Sequence, residues 1–222
     1  IEAYLSRVDE MGNEISRNCK PDASPESKRK TLHKYLFEEN GFRGGRAEYY
    51  HPANSHLNRV IDEREGLPIT LAILYMELGR RIGIRIEGVG LPGHFVARHI
   101  IDDGEGQLID VFERGKLLTT EDARNIVVNS GKRELTSEDL RAQNPIEILN
   151  RVLGNLINVA GNDQDAEAIN RYCEAAVAID PQSVLSRRMR SQIRMMTGRN
   201  AAAIQDLDWL IDNDEQGFAQ AE

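Results

Sequence analysis

Apolar positions recur at helical spacing from the start of the chain, with Leu5, Val8, Met11 and Ile15 forming one stripe over residues 1 to 18. A polar break, KPDASPESK, follows, and Ser24 or Ser27 is placed to cap the next helix. Residues 28 to 40 put Leu32, Tyr35 and Leu36 on one face and stop at the Asn-Gly signal of ENGFRGG. YYHPANSHLN then leads to a short helix, LNRVIDERE, which ends at Gly66. Just beyond it the pattern predicts a second helix with Pro68 in its first turn, where a missing N–H costs nothing. Leu71, Leu74, Tyr75, Leu78 and Ile82 form its stripe, and Ala72, Ile73 and Met76 widen it, so most of this helix is buried. Gly83 is its C-terminal cap.

Alternation replaces helical spacing in IRIEGVG, HFVARHII and QLIDVF, which read as strands, the last two joined by a hairpin turn at DDGEG. LTTEDA and LTSEDL each place a Ser/Thr cap ahead of acidic residues. From Pro145 onward only helix remains. Counting by 34 aligns Gln164 with Gly198, Ile169 with Ala203, Cys173 with Leu207 and Ala176 with Leu210. With the helix-ending Pro181, this fits the small-residue packing of a tetratricopeptide repeat, although Gln164 stands where the turn glycine belongs. Such repeats stack in groups of about three or need a cap. The N-terminal domain or the tail after Asn213 is expected to supply it.

Composition narrows the class without naming a chemistry. The chain has 222 residues, 40% hydrophobic and 29% charged, ordinary for a globular protein with a real core. No apolar run reaches the ~18 residues of a membrane span. A net charge of −8 argues against phosphate-backbone binding. Cys19 and Cys173 lie far apart with no Cys-x-x-Cys pair, which predicts reduced thiols and a cytoplasmic setting. Starting at Ile1 without a signal-peptide pattern, the chain reads as trimmed.

Chemistry concentrates at His94, which follows the LPG turn, and Asp110, on the next strand. A three-residue loop from Asp102 to Gly104 would pair Val96 with Asp110 and make His94 its diagonal neighbour on one face. A two-residue loop at Asp103 and Gly104 would put the two on opposite faces. A histidine oriented by a carboxylate is the base-plus-orienter half of a nucleophilic triad, although on spacing alone a structural His–Asp hydrogen bond is the commoner reading. A thiol at the start of the buried helix would complete the triad, because the helix dipole stabilises a thiolate there. That position holds Pro68. Thr70 is the nearest hydroxyl and suits a cap better than a nucleophile. His51 and His56 lack a His-Glu-x-x-His or Cys-x-x-Cys context, so no metal and no other cofactor is predicted. ESKRK and RRMRSQIR read as solvated basic helix faces.

The run from YLFEENGFRGG through EGLPITLAILYMELGRRIGI and GVGLPGHFVAR to LIDVF resembles the SirB-type transglutaminase-like family of bacteria. The resemblance covers roughly residues 1 to 212. It implies an α+β fold: a cysteine-protease-like domain over residues 1–140 with a small antiparallel sheet, then an all-α tetratricopeptide-like domain over residues 141–222. Carried over, His94 and Asp110 take the histidine and aspartate of a Cys-His-Asp triad, and Pro68 falls where the cysteine would be, as is usual in that family. Val111 departs from the family's proline after the aspartate. The resemblance also implies a cleft between the buried helix and the sheet, lined by Asn54, Asn58, Arg64, Pro68, Thr70, Tyr75, His94 and Asp110. The function expected is non-catalytic: binding or regulation of a ligand, with a protein or peptide partner on the helical repeats, and no nucleic acid or membrane. The alternative is a hydrolase or acyl-transfer enzyme that uses His94 and Asp110 as a general-base pair without a cysteine.

Overall fold

The computed structural model describes residues 1–101, 106–131 and 133–213, so most of the expected DDGEG turn and the tail after Asn213 lie outside the described residues. The chain divides into two compact units, Ile1–Asn144 and Pro145–Glu222.

The first unit opens with α1 (Glu2–Arg17) and α2 (Pro25–His33), the latter capped by Ser24, whose hydroxyl accepts the Ser27 N–H. A π-helical turn, Lys34–Glu39, carries the chain to Gly41. Next come β1 (Arg43–Gly44), α3 (Leu57–Glu63), β2 (Glu65–Gly66) and α4 (Pro68–Arg81). The meander β3 (Arg85–Val89), β4 (Val96–Ile100), β5 (Gln107–Asp110) and β6 (Lys116–Leu118) leads to α5 (Thr120–Gly131). The four strands form one antiparallel sheet in sequence order. β1 and β2 pair separately and in parallel. Strands of two or three residues carry too little alternation to be predicted, and β1, β2 and β6 were not.

α4 is the central element. Pro68 is its first residue and Leu67 its cap. Leucine offers no acceptor, so Thr70 closes the turn instead: its hydroxyl accepts the Leu67 N–H at 3.0 Å and donates to the Asn54 carbonyl at 2.8 Å. Gly83, with φ of 72°, ends the helix as expected. α3 ends earlier than predicted, because the left-handed residue that stops it is Arg64, φ 61°, while Gly66 belongs to β2.

Each face of the sheet meets a different helix. A Cβ on Gly79 would come within 2.5 Å of Ile86, so that side of β3 lies against α4. His99, the cross-strand partner of Ile86, shares that face. Val96, Leu108 and Leu118 point the other way and form a core with Ala123 and Val127 of α5. The layers are therefore helix, sheet, helix.

In the second unit, α6 (Pro145–Asn162), α7 (Ala166–Ile179), α8 (Val184–Met196) and α9 (Asn200–Asn213) follow one another. α7 and α9 are offset by 34 at both ends, and the aligned Gln164 and Gly198 both turn left-handed, at φ 55° and 73°. Cys173, Ala176, Ala203 and Leu210 are buried. The stretch RRMRSQIR departs from expectation. Arg187, Arg190 and Arg194 are not solvated but converge on Asp206, which is 1% exposed, and Arg190 and Arg194 also hold Glu174. Among the described residues no helix is long and apolar enough to cross a membrane.

Thr70→Val keeps the shape of this side chain but leaves the buried Leu67 N–H and Asn54 carbonyl each with one hydrogen bond fewer. A loss of about 1–3 kcal/mol in unfolding free energy is expected from urea denaturation. An unchanged midpoint would show that this bond does not secure the start of α4.

Candidate functional site

His94 is set by the turn before β4. Its N–H bonds the Leu91 carbonyl at 3.1 Å, and Gly93 adopts φ of 71° with the side chain of Ser130 packed where a Cβ would project. The β4–β5 ladder pairs Ala97 with Ile109 and Arg98 with Leu108, a register that carries Val96 opposite Asp110. This is the register of the longer of the two loops considered, and it places His94 and Asp110 on one face. Nε2 of His94 lies 2.9 Å from Oδ2 of Asp110. The second carboxylate oxygen accepts the Glu113 N–H at 3.1 Å, and the Asp110 carbonyl accepts the Gly115 N–H at 2.8 Å. Arg114 and Gly115 both have positive φ, so the chain reverses tightly around this aspartate. Asp110 is only 4% exposed and held at both oxygens. With Nε2 donating to the carboxylate, the basic lone pair of a neutral His94 resides on Nδ1.

An aromatic series continues from the ring. Phe112 meets His94 edge-on at 6.3 Å between centroids and Tyr49 at 6.1 Å, with the Arg46 guanidinium 5.5 Å from its own centre. Arg46 in turn pairs with Glu113. Phe112 covers Gly44 so closely that a Cβ there would come within 2.5 Å of its ring. Gly44 pairs with Gly66, two residues before Pro68. His94 is thereby linked through Phe112 and a glycine pair to the chain that enters α4.

A cavity of about 460 Å³ adjoins the pair, walled by His94, Asp110, Lys116, Asp122, Asn125 and Asn129 among others. It lies between β5, β6 and α5, on the sheet face opposite to α4. This is a different place from the cleft expected between the buried helix and the sheet. The other predicted residues are not part of its lining. Asn54 is buried and donates to the carbonyls of Glu48 and Tyr49. Asn58 is exposed on α3, and Arg64 is an exposed helix end. Pro68 and Thr70 are buried at the start of α4, and Tyr75 is buried in its middle. The contribution of α5 was missed. Its only trace is the pair Asn125 and Asn129, four residues apart around the apolar Val127. His51 accepts the Ala53 N–H at 3.3 Å, and the His56 ring meets the Pro52 carbonyl at 2.8 Å, so both serve their own loop.

Residues 2–154 match the model of the transglutaminase-like superfamily. The chain belongs to that superfamily. It is similar to a UPF0162 protein of Xylella fastidiosa strain 9a5c, 35% identical over 181 residues that make up 79% of this chain and 64% of that protein. UPF0162 protein PA3419 of Pseudomonas aeruginosa is 30% identical over 68% of the chain and 55% of its own length. F-box only protein 21 of Mus musculus is 27% identical over 67% of the chain and 25% of its own length. The matched region thus spans less than two thirds of these relatives. No solved structure matches the chain.

Within this superfamily member the thiol of a Cys-His-Asp triad has no local replacement. Thr70 is the closest hydroxyl to the helix start, and its oxygen is engaged on both sides by backbone. Cys173 sits in the second unit, where burial pushes its thiol up to about 11. Cys19 follows α1 and is half-buried. In native protein at pH 8, a thiol-reactive chromophore is expected to label Cys19 readily and Cys173 only after denaturant is added. Rapid labelling of Cys173 without denaturant would contradict its burial.

Proposed function

We propose that this chain is a transglutaminase-like domain that binds rather than transfers acyl groups, with a ligand held against His94 and Asp110. The observation that carries this reading is the start of α4, where Pro68 is the first residue and Thr70 is consumed as a cap. Without a nucleophile, a histidine and its orienter form no acyl-enzyme. The cavity supplies what binding needs: an imidazole, carboxylates, Lys116 and the amides of Asn125 and Asn129 around one space. The SirB-type grouping and a cytoplasmic setting belong to the same proposal. So does a tetratricopeptide-like role for the second unit, which the 34-residue offset between α7 and α9 supports. Its surface is then the place for a protein or peptide partner.

A second reading has one observation in its favour. Asp110 is held at both oxygens, which is more anchoring than a surface hydrogen bond requires, and it fixes His94 as a general base toward water or a substrate hydroxyl.

Ligand capture separates the two. Protein purified under native conditions is denatured, and the released small molecules and peptides are identified by mass spectrometry, with His94→Ala and Asp110→Asn as controls. The binding reading expects a defined species in the wild type, at least tenfold less of it in either variant, and no consumption of amide or ester substrates. Amide or ester turnover that disappears in His94→Ala would overturn it in favour of general-base catalysis.

A further inference from the structure

α7 and α9 are equivalent in span but not in covering. Their offset of 34 residues makes Asn170, Cys173, Glu174 and Val177 correspond to Ile204, Leu207, Asp208 and Ile211. Each set falls at positions i, i+3, i+4 and i+7, one stripe of its helix. On α7 the stripe faces α8: Glu174 holds Arg190 at 3.0 Å and also Arg194, and Asn170, Cys173 and Val177 around it are buried. On α9 the same stripe is open. Ile204 is 55% exposed and Ile211 62%, and the exposed Asp208 has no ion pair among the described residues. Only the neighbouring side of α9 is covered, where Ala203 and Leu210 are buried beside Asp206, which meets the arginines of α8.

The helix that covers α7 shows what would fit α9. α8 brings two arginines four residues apart to the one acid of the stripe, with the residues around that acid buried. On α9 an apolar patch surrounds a carboxylate, which selects a helix that is apolar on one side and carries a positive pair there. A second copy of α9 does not meet that need, since it would set Asp208 against another Asp208. Nor do the residues that follow Asn213, DEQGFAQAE, which include acids but no lysine or arginine.

We propose that the stripe from Ile204 to Ile211 is a docking surface for an amphipathic helix of a partner protein, one that offers two basic residues four apart beside apolar residues. The basic pair holds Asp208 as Arg190 and Arg194 hold Glu174, and the apolar residues cover Ile204, Leu207 and Ile211. This rests on the repeat reading of the second unit and names the chemistry of its partner.

A fluorescent peptide of the α8 sequence, SVLSRRMRSQIRMMTG, carries the required pattern and is the probe, stapled opposite Arg190 and Arg194 so that it stays helical. Its anisotropy is followed as the whole chain is added. Saturable binding with a Kd below about 100 μM is expected. Asp208→Lys should weaken it at least tenfold, and so should Ile211→Asp. A probe with Arg190→Glu and Arg194→Glu should bind the Asp208→Lys chain at least tenfold better than the wild type. No saturation up to about 1 mM, or equal affinity for wild type, Asp208→Lys and Ile211→Asp, would overturn the docking surface. So would a concentration-dependent dimer that Ile211→Asp dissolves, because the face would then belong to a second copy. Glu174→Ala tests the repeat reading separately, by a Tm expected to fall by several degrees. An unchanged Tm would remove the α7–α8 template itself. A lowered Tm without probe binding would keep the template and remove only the docking surface.

Discussion

The start of α4 is closed by its own third residue, and the site inherits its character from that closure. A helix beginning in a buried position normally leaves donors that attract an anion or stabilise a thiolate. Here Pro68 contributes no N–H, Leu67 contributes no capping oxygen, and Thr70 reaches back to the Leu67 amide and across to the Asn54 carbonyl. The hydroxyl that does this has no capacity left for chemistry. The same bond ties α4 to the segment before α3, which makes the start of this helix a structural joint.

Opposite this joint the histidine and aspartate remain fully organised. Asp110 receives His94 on one oxygen and a backbone amide on the other, and the turn through Arg114 and Gly115 prevents it from swinging away. Phe112 braces the imidazole and rests on Gly44, whose missing Cβ makes the contact possible. Fixed donors and acceptors of this kind suit the ligand binding proposed above, which needs no thiol. The cavity beside the pair faces α5, so it and the start of α4 lie on different faces of the sheet.

Much of the fold was legible because it is periodic. α4 announces itself by Leu71, Leu74, Tyr75 and Leu78 between Pro68 and Gly83, and its bounds came out as read. The pair His94 and Asp110 was legible only up to a choice of loop length, since one residue more or less moves a strand residue to the other face. The ladder made that choice. Three features had no local signal. β1 and β2 are too short to alternate, and the α5 wall of the cavity consists of ordinary exposed polar residues. The third is charge: ESKRK and RRMRSQIR look solvated in sequence, but Arg29 is buried, and Arg187, Arg190 and Arg194 of α8 meet Asp206 of α9. Spacing along one helix does not reveal what packs across from it.

The central claim is that Asp110 fixes the His94 ring by accepting a hydrogen bond from its Nε2, with no thiol beside the pair. Long-range ¹H–¹⁵N correlation spectra of the histidine rings, recorded at pH 8, read the tautomer directly. The account predicts a single Nε2–H form for His94 in the wild type and loss of that preference in Asp110→Asn. An Nδ1–H ring, or a tautomeric average that Asp110→Asn leaves unchanged, would contradict it.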